Sequence, residues 1–327
     1  MKRFFIICLC MLLCGCGGQK EYTDTIYAMD TVMELSAYGP GAEAALTAAK
    51  SDIFRLDALF DRKGPNSEIA ALNETGSAYL STDTAELLSR GLEISELTNG
   101  AFDMSVAPVV DLWGFYDQEY RVPEAAEITH ALEEHVNYRN IHIDAATAIL
   151  TNGAQLDPGG IAKGYTSARV MEIFKENGVT SGLVSLGGNV QVRGSRPDGD
   201  PWRVAIQSPD GEDYAGILSL TDCAAITSGD YQRYFEQDGK IYHHIIDPAT
   251  GYPADSDLTS VTIVCTDATL ADGLSTALYV MGKEKALDFW RENGGFDVVL
   301  ITRNSQMYVT KGLEGKFESN GEFTVVE

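Results

Sequence analysis

Leu156-Asp157-Pro158-Gly159-Gly160-Ile161-Ala162-Lys163-Gly164-Tyr165 sets a carboxylate, a glycine pair and a lysine at the start of a helix. Paired glycines let a backbone approach a ligand closely. The free N–H groups of a helix start favour a phosphate, and Lys163 in the first turn is placed to pair with an anion. A helix N-cap with a tight glycine turn has the same pattern. Downstream the spacing predicts a helix over 161–177, closed by Gly178. Residues 181–266 then carry alternating or β-branched runs broken by Gly, Asp and Pro, which read as successive strands. Upstream lie two short strands, at 141–144 and 148–150.

Further out, residues 22–38 read as a strand or two, and 41–60 as an amphipathic helix on Leu46, Ala49, Ile53, Leu56 and Phe60. Residues 64–80 read as a loop-rich connection. A helix runs from Ser81 or Thr82 to Asn99-Gly100, and another from Pro123 to about Val136. Helices return at 269–281 and 283–293, and two or three strands close the chain in 296–326. Helices and strands interleave without a regular βαβ repeat. That pattern indicates α+β or irregular α/β and excludes a Rossmann fold.

The length of 327 residues allows one large or two modest domains. An apolar fraction of 44% rules out wholesale disorder. Lys and Arg number 24 against 48 Asp and Glu, a net charge of −24. This argues against nucleic acid as a partner, because phosphate contacts need a basic footprint. An anionic small molecule needs local help from metal ions or backbone N–H groups.

Lys2 and Arg3 precede an apolar run over residues 4–14, too short to span a bilayer at about 20 residues per helix. It fits a secretory leader. Leu13-Cys14-Gly15-Cys16 resembles a bacterial lipobox, which implies a signal peptide over 1–15 and a Cys16 carrying palmitate-type lipid. Residues 16–24 then read as a tether and 25–327 as the folded body, held by the lipid on the extracytoplasmic face of a membrane. Four of the six Cys lie in the leader or at its cleavage point. Cys223 and Cys265 remain, as buried free thiols or as one bridge.

Four more segments carry polar groups in an apolar setting. Gly187-Gly188-Asn189 marks a bulge or close backbone approach in a strand pattern. Thr227-Ser228-Gly229-Asp230-Tyr231 precedes His243-His244-Ile245-Ile246-Asp247-Pro248-Ala249-Thr250-Gly251, where two of the five His stand side by side. On a strand they point to opposite faces, so they do not form one metal site. Asp272 and Thr276 are four apart on an otherwise apolar helix, a spacing that can hold a hard cation through oxygen. A helix-start carboxylate near Thr269 is the structural alternative. Gly100-Ala101-Phe102-Asp103 and Leu112-Trp113-Gly114-Phe115 set a carboxylate beside aromatics, suited to a flat heterocycle or to a loop with buried rings.

In this order, these blocks resemble the ApbE family of FAD:protein FMN transferases over about residues 25–312. The resemblance implies a tunnelling-fold-like α+β arrangement of mixed sheets with packed helices, forming a single catalytic unit with FAD in a cleft. It implies Mg²⁺-dependent cleavage of FAD at its pyrophosphate and release of AMP. FMN goes by phosphoester to a Thr or Ser hydroxyl of an acceptor flavoprotein, of the redox-pump subunit type. Met29, Ala101, Phe102, Asp103, Asp157, Lys163 and Ile246 match FAD-contacting positions. Gly160 (through its carbonyl), Asp272 and Thr276 match metal positions, and Ser275 falls where some members carry a further acidic ligand. Asp30 stands where the family commonly has Gly, and Lys63 where it has an aromatic that stacks on the flavin or adenine. A hydroxyl nucleophile profits from a base, and His244 is the candidate, with Asp247 to orient it or to sit near the metal. Water in place of the hydroxyl would make the same site a FAD pyrophosphatase. A flavin-binding lipoprotein without activity is the reading outside enzymes.

Overall fold

The computed structural model describes residues 20–211 and 213–327. The leader, Cys16 and the first part of the tether lie outside the described residues. The main sheet has nine strands: β1 (Glu21–Ala28), β2 (Thr31–Tyr38), β3 (Ser181–Leu186), β4 (Asn189–Arg193), β5 (Ala224–Gly229), β6 (Leu258–Cys265), β7 (Asp297–Thr302), β8 (Met307–Thr310) and β9 (Phe323–Val326). Their order across the sheet is their order along the chain. Every pairing is antiparallel except β8 with β9. Because β1 begins at Glu21, paired with Tyr38, the reading of a tether to residue 24 is too long.

The helices are α1 (Ala42–Phe60), α2 (Glu68–Thr75), α3 (Thr82–Leu97), α4 (Ala107–Trp113), α5 (Ala125–His135), α6 (Ala162–Glu176), α7 (Ala268–Met281) and α8 (Lys283–Asn293). Side chains alternate across a strand, and the main sheet uses both faces. Ile226, Ile263, Val298 and Leu300 pack under α7 and α8. Their neighbours Ala225, Val264, Val299 and Ile301 pack against a second sheet of Trp202–Gln207, Tyr214–Leu220 and Phe317–Glu318. At the other end α1 and α6 cover β1 to β3 through Ile53, Phe174 and Leu186. A further cluster joins α2 and α3 to a small sheet of Ser77–Tyr79, Ile141–Asp144 and Thr147–Leu150. This is the α+β arrangement of mixed sheets with packed helices.

Two helices stand where the sequence reads as loop. Within 64–80, α2 is opened by Ser67, whose Oγ accepts from the N–H groups of Ile69 and Ala70, and closed by Gly76 at φ 73°. The cap pair was present in the sequence, but eight residues carry too little periodicity to stand out. Helix α4 takes Pro108 in its first turn and ends at Gly114, φ 73°. Burial of Trp113, whose Nε1 donates to the Gly251 carbonyl at 2.8 Å, fixes it. Cys265 is buried and Cys223 half-buried, and both are free thiols.

Where α6 meets α7 there is no room for a side chain. A Cβ on Gly164 would lie 2.3 Å from the Ala268 carbonyl oxygen and 2.6 Å from the Asp272 Cβ. Gly164→Ala forces the two helices apart; the expected loss is about 1–3 kcal/mol, seen as a lower midpoint in urea unfolding.

Candidate functional site

A cleft of about 870 Å³ runs between the helical side and the main sheet. That is ample for a dinucleotide, since small-molecule sites span roughly 300–1,000 Å³. Met29, Ala101, Phe102, Asp103, Asp157, Gly160, Lys163, His244, Ile246, Asp272 and Thr276 all line it. A vestibule of about 340 Å³, lined by Gln118, Tyr120 and Tyr234 among others, shares Tyr27, Asp30, Gln232 and Arg233 with the cleft.

Asp272 is anchored from two separate elements. Its Oδ2 accepts from the Gly164 N–H at 2.8 Å and its Oδ1 from the Asn189 amide at 2.9 Å. Gly164 is in the first turn of α6, where N–H groups lack partners within the helix. Ile161 at the N-cap offers no side-chain bond, so Asp272 supplies one from α7. Burial raises its carboxyl above the usual range, against the opposing pull of Lys163 and the two donors. A Cβ on Gly160 would lie 3.6 Å from Thr276 Oγ1, so Gly160 and Thr276 are neighbours. Among the described residues no three His, Cys, Asp or Glu side chains gather as a metal site. A buried carboxylate, a hydroxyl and the Gly160 backbone share this wall instead, and the electron-pair donors they can offer are all oxygen. Mg²⁺ takes such a set, with one or two carboxylates, waters and substrate phosphates completing its shell. The residues fit a hard divalent cation.

The remaining wall is built by residues that hold one another. Met29 and Asp30, at φ 48° and 58°, form the two-residue turn between β1 and β2, a turn type that favours Gly at such positions. The Met29 N–H donates to Asp57 Oδ1 at 3.0 Å. Asp103 is buried, and its oxygens accept from Ser105 N–H and Oγ, both at 2.7 Å, and from the Tyr138 N–H at 2.8 Å. Burial raises its pKa and these donors oppose the rise. Asp157 accepts from the Gly159 N–H and from Arg62, both at 2.9 Å. Arg62, with a side chain only 5% exposed, also reaches Asp111 at 2.5 Å.

His244 lies just past the strand Lys240–His243. The Arg233 carbonyl, 3.1 Å from Nδ1, accepts only, so Nδ1 carries the proton and Nε2 keeps its lone pair. His243 turns the other way, into the core, 5.5 Å from the Tyr279 ring. Asp247 does not orient His244. Its carboxylate accepts from the Ala249 N–H at 2.9 Å and Thr250 Oγ1 at 3.2 Å, shaping the turn outside the cleft lining. An Asx turn satisfies a carboxylate locally, so the bonds of Asp247 go to its own turn and not to His244.

Lys63 pairs with Asp117 at 2.6 Å and lies over the Tyr116 ring, 4.5 Å from its centroid. Tyr116 itself lines the cleft and donates to Asp61 at 2.5 Å. An aromatic thus reaches this wall from just past α4, next to the Leu112-Trp113-Gly114-Phe115 block that the sequence marks as suited to a flat heterocycle. Tyr116, Arg62 and Arg233 themselves were missed, since none falls inside a motif that the sequence marks. Asn189, Ser228 and Tyr231 also line the cleft and fall inside the glycine-bearing blocks of the sequence.

The ApbE family model matches residues 29–300. A "FAD:protein FMN transferase" of Treponema pallidum is 33% identical, covering 93% of this chain and 92% of its own. One from Klebsiella pneumoniae is 31% identical, covering 90% and 93%. Among solved structures, the ApbE protein of Thermotoga maritima superposes with a TM-score of 0.86 at 32% identity, over 91% of this chain and 99% of that one. The Pseudomonas stutzeri flavinyl transferase ApbE, apo form, gives 0.82 at 31% identity, over 93% and 98%.

Burial, followed by the charge of Arg233, pushes the His244 imidazole down to about 3. Burial lowers His243 as well. As the pH falls below 6.5 the unfolded chain takes up protons that the folded chain refuses. The contribution of His244 to stability is therefore full above 6.5 and is lost as the pH falls towards 3, by at most about 1.4 kcal/mol per pH unit, and His243 contributes in the same direction. Urea unfolding at a series of pH values is expected to show a shallower decline for His244→Gln, with little change at pH 8.

Proposed function

The chain belongs to the ApbE family, and on that premise we propose that it moves FMN from FAD to a Thr or Ser hydroxyl of an acceptor flavoprotein, with Mg²⁺ and with release of AMP. It is an enzyme of the transferase class. What supports the finer reading most is the meeting of Asp272, Thr276 and Gly160 with Lys163 and His244 in one cleft.

Asp272, Thr276 and the Gly160 carbonyl would hold the metal, which supplies positive charge to the pyrophosphate oxygens and the departing phosphate. Lys163, in the first turn of α6, adds its own charge at the same wall. Gly187 and Gly188, at φ 62° and 94°, leave backbone rather than side chains beside the substrate. The acceptor hydroxyl attacks the FMN phosphorus, the bond from that phosphorus to the bridging oxygen breaks, and AMP leaves with the electron pair. His244 Nε2 takes the hydroxyl proton. Its resting pKa is low, and the negative charge of bound substrate raises it towards a useful range. The vestibule is the opening through which an acceptor loop reaches His244, since Gln232 and Arg233 belong to both. A lipidated Cys16 would keep this chemistry at the extracytoplasmic face of the membrane, near acceptors of the redox-pump type.

The test is intact-protein mass spectrometry of a Thr-bearing acceptor incubated with the protein, FAD and Mg²⁺. The expected result is a gain equal to FMN minus water, abolished by chelator and in Asp272→Ala. FMN and AMP appearing without adduct would indicate hydrolysis instead, and intact bound FAD would indicate a flavin-binding protein. In the same assay His244→Ala is expected to slow transfer by about 10²–10⁴-fold with FAD affinity retained; an unchanged rate would remove His244 from the mechanism.

A further inference from the structure

The metal corner carries a run of hydroxyls whose proton directions follow from simple counting. Ser275 Oγ is 2.8 Å from the Asp272 carbonyl oxygen, which can only accept, so Ser275 donates there. Its one proton is then committed. At 2.7 Å, Ser228 Oγ must therefore donate to Ser275 Oγ. Ser228 has no second proton, so its 3.3 Å contact with Thr276 Oγ1 is made by Thr276 donating. The run goes from Thr276 to Ser228 to Ser275 to the Asp272 carbonyl. Any other order sets lone pair against lone pair, or proton against proton. Ser275 is fully buried and is a link in this run rather than a cleft-lining group.

The direction has a consequence at the open end. Thr276 lines the cleft beside Gly160, yet its proton is turned towards β5. Its lone pairs are left for the cleft. A divalent cation needs lone pairs and is repelled by a hydroxyl proton, and hydrogen bonds in series polarise one another in the same sense. We infer that Ser228 is a positioning residue: by taking the Thr276 proton it fixes that hydroxyl as an oxygen donor to a hard divalent cation, with Ser275 as the second link. The inference rests on the Mg²⁺ reading above and goes beyond it by assigning Ser228 and Ser275 a role exerted through Thr276.

The experiment follows Mg²⁺ binding rather than turnover. The melting temperature of the FAD-saturated protein is recorded against Mg²⁺ concentration, and Mn²⁺ binding is measured by calorimetry. Ser228→Ala is expected to raise the half-saturating Mg²⁺ concentration about tenfold, with the melting temperature in chelator little changed. Ser228→Thr, which keeps the hydroxyl, is expected to return it close to the wild-type value, and Ser275→Ala to move it in the same direction as Ser228→Ala by less. An unchanged Mg²⁺ midpoint in Ser228→Ala would overturn the inference. So would Ser228→Thr behaving like Ser228→Ala, which would indicate packing. A wild-type protein indifferent to both cations would overturn the metal reading itself, and is recognised because all variants would then coincide with it in chelator and in Mg²⁺.

Discussion

The Asp272 carboxylate is the point at which helices, sheet and cleft are held together. One oxygen caps the first turn of α6, the other holds Asn189 at the start of β4, and its own helix α7 packs under β5 and β6. The arrangement requires Gly164, because a side chain there would displace the carboxylate it is meant to meet. A buried carboxylate with only these partners is costly to keep charged. The carboxylate that joins α6 to α7 is thus the same group that the proposed function assigns to a cation.

The helices and strands that carry the site were legible in the sequence because they are long and periodic. Helix α6 shows Ser, Tyr and Val-type burial at helical steps, and the strands over 181–266 alternate across two packed faces. The short helices α2 and α4 were not legible, because tertiary burial of Leu72 and Trp113 fixes them rather than periodicity. Site residues within the glycine-bearing motifs were found. Arg62, Tyr116 and Arg233 were not, since each lies beside a marked segment rather than within it and its turn into the cleft is set by tertiary packing. Asp247 shows the converse: a carboxylate inside a telling motif whose bonds all serve its own turn.

Charge is arranged on two scales. The chain as a whole is strongly acidic, which repels a dinucleotide at long range. Inside the cleft the balance is local. Arg62 is committed to Asp111 and Asp157, and Lys63 to Asp117, so these cations reinforce the wall. Lys163 is the cation whose charge acts on Asp272. On the proposed function, such a site would bind its anion through a few fixed groups and a recruited cation rather than through an extended positive surface.

The main sheet has a consequence for how the molecule can be attached to anything else. Its strands lie in chain order, so β1 and β9 form opposite edges. With eight spacings of about 4.8 Å between neighbouring strands, the two ends of the described chain stand roughly 38 Å apart across the sheet. A molecule moored by residue 20 carries its C-terminus at the far edge, where a fused reporter or a surface linkage leaves the moored edge uncrowded.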